Sequence, residues 1–290
     1  MEITKDLVEK YWPLTNVVIG EKLKQIPGVE RKVGVLTSAE GKFTYKIADP
    51  WKSKEALDID LKMFDFLAVQ NFKYITKLLK TKDNNNYIQI ENNFIYILQF
   101  VDGKHPDETP ENYKRLGEIT AELHSIKNCP YETKFSANYI VQHNLIDNAK
   151  KLSLPDEYLE LVKQQPDYDQ FPKTIIHSDI GPGNSIQRPD GEIILIDWDD
   201  TGVGTTILDL GYPLIQQFVS EDLEFKEEKG RAFYQAYFKH RKLSELEMDH
   251  IFDAALFYSL FYIEFGDSKK RWERIKWALE NKDKLTNLYK

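Results

Sequence analysis

A chain of 290 residues, 41% hydrophobic and 30% charged, has enough apolar content for one or two ordinary cores. Its formal net charge of −8, with no basic stripe, argues against a nucleic-acid partner, since phosphate backbones are bound by clustered Lys and Arg. The single cysteine, Cys129, excludes an intrachain disulfide framework and a cysteine-rich zinc site.

Residues 1–14 carry acids and no uninterrupted apolar core, so they do not read as a secretory signal. The longest apolar stretch, 251–265, contains Asp253, Ser259 and Glu264 and is too short to span a bilayer. The expectation is a cytoplasmic protein with no membrane partner. Its oligomeric state is not readable from these features.

In chain order, residues 22–26, 32–37 and 41–48 read as strands, broken by Pro27-Gly28 and by the turn residues 38–41. Ser53 is an N-cap residue type ahead of a helix through Val69, with Leu57, Leu61, Phe64 and Leu67 at helical spacing. Strands 87–91 and 94–100 follow, joined by Asn92-Asn93. After Asp102-Gly103 the pattern turns helical. Thr109-Pro110 starts a helix that should end near Asn128, and Ser244 with Glu247 forms a capping box. This composition switch predicts an α+β fold with a β-rich N-terminal lobe, 1–99, and a larger, mostly helical lobe, 100–290.

The chemistry concentrates in residues 174–212. A short apolar strand, Thr174-Ile175-Ile176, delivers His177-Ser178-Asp179, and a Gly/Pro loop leads to Asn184. Residues 185–187 and 192–196 read as a hairpin around Arg188-Pro189-Asp190-Gly191, in which Pro presets φ and Gly closes the turn. A turn pairing Arg188 with Gly191 would set Asn184 opposite Leu195, with Asp197 just beyond the ladder. An amide oxygen and a carboxylate would then converge, which suits Mg²⁺, a cation that takes few hard oxygen ligands and keeps water and phosphate as the rest. Asp179, one loop away, would remain to orient an attacking hydroxyl.

His177-x-Asp179-x₄-Asn184 with a following Asp197 resembles the catalytic loop and metal-binding Asp of the protein-kinase superfold. The stretches HSDIGPGN and IDWDD, the downstream Asp209-Leu210, and the helix segment from Leu116 to His124 are more similar to the aminoglycoside phosphotransferase and choline kinase family. The resemblance covers most of the chain and is specific in residues 174–212. It implies a two-lobed protein-kinase-like fold, ATP with two Mg²⁺ ions as cofactors, and transfer of the γ-phosphoryl group to a small alcohol. Asp179 would be the base, Asn184 and Asp197 the metal ligands, and His177 and Asp209 supports of the loop.

The same resemblance makes Lys46 the phosphate-binding lysine and Asp60, with Glu55 as fallback, its acid partner. Gln99 and Val101 would meet adenine through the backbone. Residues 27–35 would cover the phosphates without a G-x-G-x-x-G pattern. Asp197-Trp198-Asp199 replaces D-F-G and no long activation segment follows, which disfavours a protein substrate. Acids in the second lobe, above all Glu264 and Asp267 and also Asp199 and Asp200, point to a cationic acceptor such as an aminoglycoside or amino alcohol. Solvated acidic helix faces are the commoner source of such runs. A catalytically silent kinase-shaped binding protein is the alternative function, and a protein kinase the second.

Overall fold

The computed structural model describes residues 2–23, 33–48, 52–133, 136–199 and 201–290. Residues 27–32 of the phosphate-covering segment expected over 27–35, and the candidate Asp200, lie outside the described residues. The chain divides into two compact units, one of Met1–Lys104 with Ile186–Ile196, the other of His105–Ser185 with Asp197–Lys290. The composition switch at residue 99 marks the main change of character. It gives no sign that the segment Ile186–Ile196 groups with the first unit.

The first unit opens with helix α1 (Lys5–Tyr11), whose first turn is capped by the Thr4 hydroxyl. Strands β1 (Val18–Lys22), β2 (Val33–Ser38) and β3 (Gly41–Ile47) precede helix α2 (Lys54–Val69). Strands β4 (Leu78–Leu79), β5 (Ile88–Ile90) and β6 (Asn93–Gln99) follow it. The sheet is antiparallel in the order β1-β2-β3-β6-β4, with β5 also on β6. The strand expected over 22–26 begins earlier, because Val18 and Ile19 pair with Thr37 and Leu36; residues 24–26 are outside the described set.

Alternation along β3 sends Phe43, Tyr45 and Ile47 into a core with Leu36, Ile95 and Ile97, to which α1 and the segment after it add Val8, Trp12 and Leu14. Thr44 and Lys46 therefore point to the opposite face. Helix α2 starts as expected, with the Ser53 hydroxyl accepting from Ala56 N at 3.2 Å, and it buries Leu57, Leu61, Phe64 and Leu67.

In the second unit α3 (Pro110–Ser125) is followed by α4 (Ala137–Ile140) and α5 (Ile146–Lys151), which flank a π-helical turn at Val141–Leu145, and then by α6 (Asp156–Lys163). Strand β7 (Lys173–Ile176) pairs antiparallel with β10 (Gly202–Thr205); between them in sequence lies the two-stranded hairpin of β8 (Ser185–Gln187) and β9 (Ile193–Leu195), most of which falls in the segment grouped with the first unit. Helices α7 (Thr206–Gln216), α8 (Glu227–His240), α9 (Glu245–Phe261), α10 (Ser268–Glu280) and α11 (Lys282–Thr286) complete the chain.

The capping box of Ser244 and Glu247 forms, and α9 is buried almost all round, from Ile251 to Leu260. Helix α7 crosses it at Gly211, where a Cβ would stand 2.5 Å from the Ala254 Cβ, so only glycine lets the two backbones approach this closely. Among the described residues no helix is long and apolar enough to cross a membrane.

Candidate active site

Strand β7 buries Ile175 and Ile176 and delivers His177, Ser178 and Asp179 at its end. The chain turns sharply there, with Ser178 at φ +72°, a conformation few non-glycine residues adopt. Asp209, fully buried in the first turn of α7, holds that turn. One of its oxygens accepts from Ser178 N at 2.6 Å and the other from His177 N at 2.8 Å. The second oxygen also faces His124 Nε2 at 3.1 Å, while His124 Nδ1 lies 2.9 Å from the Tyr237 hydroxyl. A His124 ring carrying its proton on Nε2 satisfies both neighbours, donating to the carboxylate and accepting from the phenol. His177 packs edge-on against Trp198, with ring centroids 4.7 Å apart.

The loop after Asp179 is tied down by its own polar groups. Ser185 Oγ donates to Gly181 O at 2.8 Å, and His105 Nδ1 donates to Ser185 O at 2.9 Å and Pro182 O at 3.2 Å. Asn184 Nδ2 donates to Asp179 Oδ2 at 2.6 Å and to the Asp179 carbonyl at 3.0 Å. The Tyr212 hydroxyl donates to the same carboxyl. The protein crowded around Asp179 pushes its pKa up to about 6; the hydrogen bonds from Tyr212 and Asn184 pull it down, while the charges of Asp197 and Asp209 push it further up.

The hairpin between Asn184 and Asp197 makes the expected turn bond, Gly191 N to Arg188 O at 2.9 Å. Its ladder closes one residue later than expected, with Arg188 N donating to Glu192 O at 2.8 Å. The cause is Gly191, whose φ of +87° adds a third loop residue in the manner of a glycine bulge. The register expected from a two-residue turn is displaced accordingly. Asn184 and Asp197 still flank the two ends of the hairpin, and Asp197 (φ +62°) is close enough for its charge to act on Asp179.

The donor set suits a hard divalent cation. The Asn184 amide gives its N–H groups to Asp179, and its carbonyl oxygen accepts no hydrogen bond among the described residues. With the Asp197 carboxylate it offers two oxygens and leaves the other positions to water and phosphate. Among the described residues no cluster of three or more His, Cys, Asp or Glu is placed to hold a metal on its own.

The remaining candidates are distributed as follows. Lys46 sits in β3 between Val33 of β2 and Tyr96 of β6. Asp60, nearly buried on α2, contacts Lys52 Nζ at 2.5 Å, a cation that sequence reading passed over when it paired Asp60 with Lys46. Gln99 has its N–H engaged by Lys77 O at 2.8 Å, and its carbonyl accepts from the Thr76 hydroxyl at 2.6 Å. Val101 has no backbone hydrogen bond among the described residues.

Asp199 is half-buried in a turn after Trp198. Glu264 accepts from Lys151 at 3.0 Å and from Asn148 at 3.4 Å, while Asp267 caps α10 by accepting from Lys269 N at 3.0 Å and Lys270 N at 3.2 Å. Both acids singled out for a cationic acceptor thus already serve the fold. The residues missed from sequence are Tyr212, His105, His124 and Lys52. Tyr212 was findable, since it lies three residues after Asp209 and so shares its helix face.

A family model described as the phosphotransferase enzyme family matches residues 22–246. No curated protein matches. Among solved structures, the chain is similar to the amicoumacin kinase hAmiN in complex with AMP-PNP, Ca²⁺ and Ami, at TM-score 0.68 and 15% identity, covering 97% of this chain and 94% of that one. It is also similar to an aminoglycoside phosphotransferase from Alicyclobacillus acidocaldarius (TM-score 0.63, 14% identity, 100% and 95% coverage). A third is the microcompartment-associated aminopropanol kinase (TM-score 0.61, 14% identity, 97% of each chain). At these identities the likeness speaks for the fold, an α+β protein-kinase-like one.

Proposed function

The chain belongs to the phosphotransferase enzyme family, and from that premise we propose that it transfers the γ-phosphoryl group of ATP to a hydroxyl of a small molecule, with Asp179 as base. The observation that carries the reading is the setting of Asp179. Its carboxyl is oriented by Asn184 and Tyr212 on a loop pinned by Asp209, and the charge of Asp197 acts on it. In the proposed step the Asp179 carboxylate aligns the acceptor hydroxyl and takes its proton as the oxygen bonds to phosphorus and the bond to the β-phosphate oxygen breaks. Asn184 and Asp197 are the proposed Mg²⁺ ligands, and the ion would offset charge on the phosphate oxygens. Lys46 is the proposed phosphate-binding cation, Asp60 its acid neighbour on α2, and Val101 the backbone contact to adenine. Asp199 is a proposed acceptor contact.

Two of the bound neighbours carry supporting weight: one structure holds AMP-PNP and another, of a spectinomycin phosphotransferase, holds ADP and spectinomycin. The test is ADP release with Mg²⁺ against a panel of aminoglycosides, amino alcohols, hydroxy acids and sugars, run alongside Asp179→Asn. Acceptor-dependent release that falls by about 10²–10⁴-fold in the variant supports the base role. Equal rates in both proteins, or no ATP binding by the wild type, would sink it.

A further inference from the structure

Beside the first turns of α10 the second unit holds a cavity of about 170 Å³ whose wall carries Lys270, Arg271 and Arg274. The three lie on one helix face, Arg274 being one turn beyond Lys270 and Arg271. Two acids, Glu221 and Asp267, share the wall. Asp267 is committed to capping α10, where its Oδ1 accepts from Lys269 N and Lys270 N. Three cations against two carboxylates leave one net positive charge, which suits a monoanion.

Arg274 is the anomalous group. It is only 9% exposed, and its guanidinium donates to two neutral oxygens, the Val219 carbonyl at 3.4 Å and Gln216 Oε1. Among the described residues none of Lys270, Arg271 and Arg274 forms an ion pair. A buried guanidinium without a counter-ion is costly, and a second one beside it adds repulsion. Accordingly burial, followed by the charge of Arg271, holds Arg274 down at about 10, against some restoring effect of Glu221. Arg271 is shaped for a ligand as well. Its Nε lies 3.1 Å from where a Cβ on Gly266 would stand, so the absent side chain makes room for the guanidinium, which is anchored by one hydrogen bond to Phe265 O at 2.9 Å.

Packed aromatic rings link the cavity wall to the surroundings of Asp179. Phe265, a cavity-wall residue 56% exposed, has its ring centroid 5.9 Å from that of Tyr262, which is 6.2 Å from that of Tyr212, the donor to Asp179. Gln216, which binds Arg274, is one turn along α7 from Tyr212. Guanidinium forks match carboxylates, and the aromatic side chains between the two ends give apolar surface suited to a carbon chain or sugar ring.

We propose that this cavity binds a carboxylate of the phosphoryl acceptor through Arg271 and Arg274, which makes the acceptor an extended carboxylated alcohol and not a purely cationic one. The proposal rests on the kinase reading for its phosphoryl step, while the binding site itself does not. Selectivity for a charged group at the far end from the reacting hydroxyl then comes from these two arginines, and affinity for the same molecule without its carboxylate is lost.

Matched probes test this: gluconate against glucitol, glucuronate against glucose, and Ser-Gly against its C-terminal amide. Thermal stabilisation is read in the Asp179→Asn protein, which cannot turn over, and ADP release in the active protein. Each is repeated with Arg271→Gln and, because Arg274 is buried and its loss risks the fold, with Arg274→Lys, which keeps charge without the fork. The expected result is a preference for the acid in at least one pair, with KM raised roughly tenfold or more by Arg271→Gln and little change in kcat. Absence of any Arg271-dependent stabilisation by the acids at tens of millimolar overturns the proposal. So does ADP release that favours the neutral members and ignores Arg271→Gln, an outcome that leaves the kinase reading intact. Arg271-dependent binding of an acid with no ADP release from any probe keeps the carboxylate site and removes the kinase reading.

Discussion

The Asp179 carboxyl, pushed up to about 6 by the protein around it, is held where the fold disfavours its ionised form. The folded chain binds this proton more tightly than the unfolded chain, whose carboxyl keeps its ordinary value of 3.8. Below that value both states are protonated and nothing is lost. As pH rises from 3.8 to about 6 only the unfolded chain releases the proton, and above about 6 the full destabilisation is in place. In metal-free protein Asp179→Asn should therefore raise stability at pH 7 by on the order of 1–2 kcal/mol, discounted for partial solvent access, while turnover is lost. Thermal melts in EDTA at pH 5 and pH 7 check it: the gain should shrink at the lower pH, and an equal gain at both would contradict the cause given. The grouping of Asp179, Asn184 and Asp197 around one loop and hairpin was legible because it follows from local spacing. Lys52 was not, since nothing near it in sequence says that a lysine just ahead of α2 will meet Asp60.

At the scale of elements, the junction of α9 with α10 shows why acids are hard to read. Glu264 and Asp267 end an apolar run, where a cation site and ordinary helix chemistry look alike. Asp267 ahead of Ser268 is an N-cap pattern, and capping is what it does. The hairpin was legible to within one residue, and the error came from a glycine conformation that sequence leaves open. A harder constraint lies where α7 crosses α9. Gly211→Val would drive side-chain atoms into Ala254, whose Cβ and carbonyl carbon lie 2.5 and 2.6 Å from the position of the new Cβ. The expected loss is about 1–3 kcal/mol in a denaturant melt, and a parallel loss of activity, because α7 carries both Asp209 and Tyr212. A variant as stable as the wild type would show that the helices can separate freely.

For the molecule as a whole, composition was enough to read the mixed α+β character, because strand and helix periodicities differ over long windows. It could not show that Ile186–Ile196, embedded in the helical half of the sequence, groups with the sheet-bearing unit, since chain excursions of this kind leave no periodic trace. Summed charge is silent in a comparable way: the overall −8 carries no information about position, and the cavity beside α10 is locally positive.

The clamp of Asp209 on His177 and Ser178 also orders events in time. These bonds span 32 and 31 residues, so the turn that presents Asp179 has no partner until α7 has been made and docked. A nascent chain that stops short of residue 209 would carry every residue of the loop from His177 to Asn184 without its shape. The amides of His177 and Ser178 should then exchange with solvent only when the whole unit opens, as slowly as those of α9. In Asp209→Asn, which has one acceptor oxygen in place of two, they should exchange by local opening instead; native-state hydrogen exchange distinguishes the two, and equal protection in both proteins would refute the ordering. Synthesis from the N-terminus thus leaves the loop that presents Asp179 unformed until α7 has docked.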